Sequence, residues 1–265
     1  MHEGCTLAGV KYNIICYADD IASLAPSRIG LQRLLETLEQ CVSDLGLMVN
    51  TSKSAYITFM KDKRLQHSTG KVLMFGSPIR RVCEWKYLGV VLSENLTLNA
   101  DIARMSRALL KQFHSFYSKF SFLSGDILYY LFRTYTSSFY GAETWYSFKK
   151  ASVFKDLAVV YHKCVKKVAG LNVWDSNHEA CEIVKVPIFK HLLAKRLISV
   201  LFRVVRSESP CVLPFRYYLR YMSEIYKSIA HFFMQEYSIS NIFENPLCAI
   251  LARIDYVQRN EPRRR

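Results

Sequence analysis

Two adjacent carboxylates, Asp19 and Asp20, are the residues of this sequence best suited to chemistry. They stand in Tyr17-Ala18-Asp19-Asp20, between the apolar runs 14–17 and 21–25. β-Branched and aromatic residues on both flanks predict strand, acidic turn, strand. Carboxylates held side by side at a buried turn repel each other and lose hydration, so a cation between them is the expected compensation. Magnesium suits that role, because it takes hard oxygen ligands and completes its octahedron with substrate phosphates. Such a centre serves two-metal nucleotidyl transfer. A solvated hairpin turn explains the same pair, since aspartate favours turns.

The elements that would position this pair follow directly. Ser27 is a plausible N-cap, and Leu31, Leu34, Leu35, Leu38, Cys41, Val42 and Leu45 recur at helical spacing until Gly46 stops them. Next comes Leu45-Gly46-Leu47-Met48-Val49-Asn50-Thr51-Ser52-Lys53-Ser54, then a strand expected over 55–60. A basic loop spans 61–71, and Gly76-Ser77-Pro78 predicts a turn between strands at 72–75 and 79–83. A strand is expected over 85–92, with Trp85 and Tyr87 alternating against Lys86.

These stretches carry a resemblance. Tyr-Ala-Asp-Asp in an apolar hairpin looks like motif C of the reverse transcriptases. The 45–54 segment resembles motif D, a Gly-Leu, a strand, an Asn and a Lys-Ser. Trp85-Lys86-Tyr87-Leu88-Gly89-Val90 resembles motif E, the primer grip, and Tyr140-Gly141-Ala142-Glu143-Thr144-Trp145 resembles a segment downstream of the polymerase core in non-LTR (LINE-type) retrotransposons. The order and spacing carry the match, which covers roughly the first 150 residues well. A group II intron-type enzyme shares motifs C to E and is the alternative family. The resemblance implies RNA-templated DNA synthesis with two Mg2+ ions, an RNA template, a DNA primer and dNTP.

It also implies roles. Asp19 is the principal metal ligand, Asp20 a neighbouring or outer-sphere carboxylate, and Tyr17 with Ala18 lies beside the primer end. Trp85, Lys86, Tyr87, Leu88 and Gly89 hold the primer, although plain sheet packing fits Trp85 and Tyr87 as well. Lys53 is a candidate general acid for departing pyrophosphate, or a neutralising or solvated turn lysine. The family's fingers and motifs A and B precede motif C, and here only about 16 residues do. A lone hairpin offers too few ligands for two magnesium ions without a third carboxylate and phosphate. The expectation is a fragment of a longer polyprotein, binding metal weakly or not at all and inactive alone. A catalytically inert nucleic-acid-binding remnant is the reading from another class.

Composition agrees with a folded, polyanion-binding protein. Of 265 residues 51% are hydrophobic, ample for a core. The richest apolar stretch, 192–205, is cut by Lys195, Arg196 and Arg203, so no span and no membrane partner is expected. The eight cysteines show no CxxC, predicting free, buried thiols in a reducing compartment, hence an intracellular, nuclear or cytoplasmic protein. A zinc site from His178, Cys181 and His191 fits no standard module. Net charge is +14, of which the first 100 residues carry +2 and the remainder +12. Such a basic half suits phosphate contacts, or is a solvated surface.

The fold class expected is α+β, a partial palm with an antiparallel sheet over 1–95, thumb-like helices over 96–150 and a basic helical region over 151–265. From Asn99, Ile102, Met105, Leu109, Phe113, Phe116 and Phe120 step by three or four, and Arg104, Arg107 and Lys111 form a basic stripe on another face. Asp126 is expected to cap a helix to about Phe139. A third runs from about Ser152 to Ala169 with Lys163, Lys166 and Lys167 as phosphate candidates or simple solubilisers. Asn177 caps a short helix, Pro187 opens a longer one to about Arg206, and 207–214 is a linker. Aromatics among basics over 215–234 fit an amphipathic core helix better than base stacking. The Arg263-Arg264-Arg265 tail is a disordered or weak nucleic-acid patch.

Overall fold

The computed structural model describes residues 3–59, 70–136, 139–142, 145, 151–217, 224–242 and 244–260. The end of the strand expected at Met60, most of the basic loop, Glu143, Thr144, residues 218–223 and the arginine tail lie outside them. The chain divides into two compact units. One is formed by Met1–Tyr87, Val91–Thr97 and Glu208–Tyr221, the other by Leu88–Val90, Leu98–Ser207 and Met222–Arg265.

The first unit mixes a helix with short strand pairs. Strands β1 (Cys5–Leu7) and β2 (Val10–Tyr12) form a hairpin, as do β3 (Ile14–Tyr17) and β4 (Asp20–Ser23). Helix α1 (Arg28–Asp44) follows, capped by the Ser27 hydroxyl accepting from Gly30 N at 3.0 Å. Gly46 adopts φ +65 just past its end, the left-handed geometry of a helix C-terminus. β5 (Ala55–Tyr56) pairs in parallel with β8 (Arg80–Arg81), and β6 (Leu73–Met74) pairs with β7 (Ser77–Pro78). β9 (Glu84–Tyr87) and β10 (Val90–Ser93) form the last pair. The single antiparallel palm sheet expected from the sequence is thus, among the described residues, a set of separate two-stranded pairs.

Several boundaries differ, each for a local reason. The strand expected over 85–92 is a hairpin, because Leu88 and Gly89 take φ +44 and +85 and reverse the chain. The turn expected at 76–78 sits at Phe75-Gly76, both at positive φ, which leaves Ser77-Pro78 in a strand. Residues 47–49 form no strand; Asn50 instead caps a 3-10 turn at Thr51–Lys53. The stretch expected as a linker over 207–214 is more than that, for its end enters helix α7 (Leu213–Tyr217) and the Tyr12 hydroxyl donates to Cys211 O at 2.8 Å.

The core of this unit is the apolar face of α1, with Leu35, Leu38 and Val42, against Val72, Met74 and Ile79. Ile14 packs on its margin and ties the acidic hairpin to it. Polar side chains of α1 finish the job at an open strand edge. The Gln32 amide donates to Leu73 O and accepts from Leu73 N, and Glu39 accepts from Phe75 N at 2.6 Å. A strand edge left unpaired would expose those groups to other strands.

The second unit is helical. It comprises α2 (Asn99–Phe120), α3 (Gly125–Tyr135), α4 (Ala151–Ala169), α5 (Asn177–Val184), α6 (Phe189–Arg206), α8 (Glu224–Tyr237) and α9 (Leu247–Asn260). α2 buries Ile102, Met105, Leu109, Phe113 and Phe116 as its periodicity predicts. Phe132 of α3 meets Phe113 edge-on, and Phe139 meets Tyr161 and Phe189 edge-on in a second aromatic group. α3 starts after Ser124 rather than at an Asp126 cap, and ends at Tyr135; Asp126 pairs instead with Lys185 at 3.9 Å. Ser176, not Asn177, caps α5. α6 is held to α8 and α9 by the ion pairs Lys190–Glu236 and Lys195–Asp255, and by buried His191 against the Tyr237 hydroxyl at 2.9 Å.

All eight cysteines are free, but only Cys164 and Cys181 are buried, where burial pushes their thiols up to about 12. Burial was expected of most of them; the rest lie half-buried or exposed on short strands, outer helix faces or, for Cys83 and Cys211, turns between elements. Among the described residues no helix is long and apolar enough to cross a membrane.

His162 of α4 accepts a hydrogen bond from Phe189 N at 3.4 Å, closing one of the free donors at the start of α6. Burial first, then Lys166 and His178, lower its pKa from 6.5 to about 4. Above pH 6.5 folded and unfolded rings are both neutral and the stabilisation is complete. As pH falls towards 4 the unfolded ring takes up a proton that the folded one refuses, which removes on the order of 3 kcal/mol. Denaturation midpoints measured from pH 7.5 to 4.5 should drop more steeply for the native chain than for His162→Gln.

Candidate active site

The acidic hairpin is built by register. Ile14 faces Ser23, Ile15 faces Ala22, Cys16 faces Ile21 and Tyr17 faces Asp20, leaving Ala18 and Asp19 as a two-residue turn. Leu24 N donates to Asn13 O at 2.7 Å and extends the ladder at the base. Ala18 adopts φ +52, a left-handed conformation that costs a non-glycine residue about 1–2 kcal/mol. The tight turn therefore places Asp19 at the tip and Asp20 at the first position of β4.

Both carboxylates are exposed, and among the described residues neither has a hydrogen bond or ion pair. This corrects the buried turn expected from the flanks. The flanking residues are exposed too: Tyr17 at 65%, with Ile15 and Ile21 at about two-fifths. Among the described residues the hairpin pairs in a sheet only with itself, and its distal half extends past the core that receives Ile14. As a donor set the pair suits a hard cation in part. It supplies two adjacent anionic oxygen donors, yet no group of three or more His, Cys, Asp or Glu that could hold a metal occurs among the described residues.

The other implied residues are placed as follows. Lys53 ends the 3-10 turn with its backbone N donating to Asn50 Oδ1 at 3.1 Å and its side chain exposed. Trp85 and Tyr87 are half-buried and Lys86 exposed, the alternation of a covered strand. The Arg80 guanidinium lies 5.7 Å from the Trp85 ring centroid, and the Tyr87 hydroxyl is buried without a partner among the described residues. At the turn, a Cβ on Gly89 would lie 2.9 Å from Tyr140 Cε1; one on Gly141 would lie 2.8 Å from Val90 Cγ2. The two glycines are reciprocal notches that bring the 88–90 turn against residues 140–141.

On α2 the basic stripe is split in use. Arg104 turns to buried Asp101, with Nε to Oδ1 at 2.6 Å. Arg107 and Lys111 are exposed, and Lys111 borders a groove of about 630 Å³ with Ser115, Lys119, Phe120 and Tyr135. On α4, Lys163 is exposed, Lys166 donates to Val173 O at 2.7 Å and Lys167 lies over the Tyr117 ring. Asp101 escaped the sequence reading. It also accepts from Trp145 Nε1 at 2.8 Å, and its only sequence signal was an acid in the first turn of a helix.

With this geometry in view, the comparisons with known proteins bear on the hairpin. Residues 2–92 match the family model of reverse transcriptase (RNA-dependent DNA polymerase). The chain is also 26% identical over 118 residues to a retrovirus-related Pol polyprotein from type-1 retrotransposable element R2 of Bradysia coprophila, which is 40% of this chain and 14% of the relative. A similar protein from Nasonia vitripennis is 28% identical over 123 residues, 42% of the chain and 12% of the relative. The RNA-directed DNA polymerase from mobile element jockey of Drosophila melanogaster is 33% identical over 101 residues, 36% of the chain and 11% of the relative. The chain thus spans a small part of the length of these relatives. The segment with the acidic hairpin is similar to retrotransposon reverse transcriptase, as the motif order implied.

The Gly89 notch gives a direct test. Gly89→Ala adds a Cβ at φ +85 and against the Tyr140 ring, and should destabilise the chain by on the order of 1–2 kcal/mol in urea. Adding Tyr140→Ala should recover the steric part and leave the backbone part.

Proposed function

We propose that this chain is the C-terminal part of a reverse transcriptase of non-LTR (LINE-type) retrotransposon origin. Residues 1–95 are the part of the palm that carries motifs C to E, 96–150 thumb-like helices and 151–265 a basic helical extension. The observation that carries this reading is the β3–β4 hairpin, whose tight turn presents Asp19 and Asp20 unpaired within the segment similar to reverse transcriptase. That the matched relatives are mobile-element polymerases favours a retrotransposon over an intron-encoded enzyme.

In the whole enzyme the reaction is RNA-templated DNA synthesis, and the partners are an RNA template, a DNA primer and dNTP. Asp19 and Asp20 are the residues that would hold Mg2+, which when bound would supply charge stabilisation for nucleotidyl transfer. Tyr17 covers the primer end, the 85–89 hairpin steadies the primer strand, and Lys53 neutralises or protonates the departing pyrophosphate. Lys111, lining the groove on α2, Arg107 on the same helix and Lys163 on α4 meet phosphates. Further carboxylate ligands come from another part of the same polyprotein, so the 265 residues alone bind Mg2+ weakly and do not polymerise.

Primer extension on an RNA template tests both halves. The purified chain alone should give no product, and synthesis restored by adding the remaining part of the polyprotein should be abolished by Asp19→Ala. Magnesium-dependent synthesis by the chain alone, lost in Asp19→Ala, would overturn the dependence on other segments. If restored synthesis is indifferent to Asp19→Ala, the assignment of the hairpin fails. The inert-binder reading predicts primer–template binding with a steep salt dependence and no effect of Mg2+ and dNTP.

A further inference from the structure

Trp174 is 95% exposed, the least covered aromatic side chain among the described residues of the helical unit. An indole is a large apolar group that folded chains ordinarily cover well, so presenting it whole to water needs a reason. The loop that carries it is firmly built. Asp175 N donates to Asn172 O at 3.2 Å, the Asp175 carboxylate accepts from Asn172 N at 2.5 Å, and Lys166 Nζ donates to Val173 O at 2.7 Å. The indole is held out by a tied turn.

The same end of the helical unit carries further apolar and cationic side chains. Lys167 Nζ lies 5.5 Å from the Tyr117 ring centroid, so the last turns of α2 and α4 meet there. The loops that follow these helices leave from the same end. One carries Phe122 at 81% exposure, the other Val173 at 60% and Trp174. Lys163 and Lys167 are exposed one helical turn apart on α4, about 6 Å along its axis. Of the acidic groups near this end, Asp126 at the start of α3 is paired with Lys185 and the Asp175 carboxylate is turned to Asn172 N.

From this arrangement we propose that the α2–α4 end of the helical unit binds an unpaired stretch of nucleic acid, with a base stacked on Trp174 and flanking phosphates met by Lys163 and Lys167. A flat aromatic face beside cations is the pairing that single strands need, since every base has a π-face and every linkage a charge. A duplex keeps its bases stacked on one another and leaves the indole unused. A protein partner fits less well, because protein–protein interface cores are depleted in lysine. The surface is built from the helical unit alone, and the proposal stands whether or not the polymerase reading does.

The test measures anisotropy of a labelled single-stranded RNA and of a duplex of equal length with the intact chain, Trp174→Ala and Trp174→Phe. Trp174→Ala should weaken single-strand binding roughly 10-fold or more. Trp174→Phe should retain most of it, and duplex affinity, salt dependence and melting temperature should stay unchanged. RNA should quench tryptophan fluorescence in the native chain and less in Trp174→Ala. Native single-strand affinity in Trp174→Ala would overturn the proposal, as would equal losses on single strand and duplex. No single-strand binding by the intact chain at low salt would also overturn it and leave this end to a protein partner.

Discussion

A carboxylate that is 1% exposed in a protein core needs hydrogen-bond donors about it in place of water. Asp101 meets that demand with the Arg104 guanidinium at 2.6 Å and the Trp145 indole N–H at 2.8 Å. Satisfying it fixes the first turn of α2 to a residue 44 positions later in the chain. The rest of the helical unit is arranged around that tie. Trp145 is itself buried against Phe154, which begins the buried face of α4, and α4 carries Tyr161, Cys164 and Val165 into the same core. The 140–145 stretch is fixed by contacts of the same kind. Tyr140 fills the Gly89 notch, Gly141 receives Val90, and Trp145 answers the buried acid.

The acidic hairpin works by the opposite principle. Its two carboxylates lie in water, and their placement comes from the turn alone rather than from packing or donors. A left-handed Ala18 is the strained element, and strain at such positions persists only where surrounding structure determines it. Four registered pairs below the turn and the anchoring of Ile14 in the α1 core provide that determination. The outcome is a pair of adjacent anionic groups with fixed direction and no internal counter-charge among the described residues.

Much of this was legible in the sequence, and what was not has physical causes. Helix α1 was readable because Ser27, the leucine period and Gly46 agree at every level. The β3–β4 hairpin was readable because apolar runs bracket a polar turn. The turns at Ala8-Gly9, Phe75-Gly76 and Leu88-Gly89 were missed or displaced, because the first residue of each takes positive φ without being Asn, Asp or Gly. Exposure of Asp19 and Asp20 was misjudged because apolar flanks signal a buried strand only when a second layer covers them. Asp101 looked like an ordinary acid compensating a helix dipole, and its burial depends on an indole far along the chain. Trp174 gave no signal, since a single aromatic in a loop has no period to read.

The 208–221 stretch has a topological consequence. It follows more than a hundred residues of the helical unit, yet it folds with the N-terminal strands, where the Tyr12 phenol reaches Cys211 O. Neither unit is one uninterrupted length of polypeptide. An expression fragment cut after Thr97 would carry the acidic hairpin but forfeit the returning piece of its own module, so excising that module intact calls for splicing or circular rearrangement rather than simple shortening.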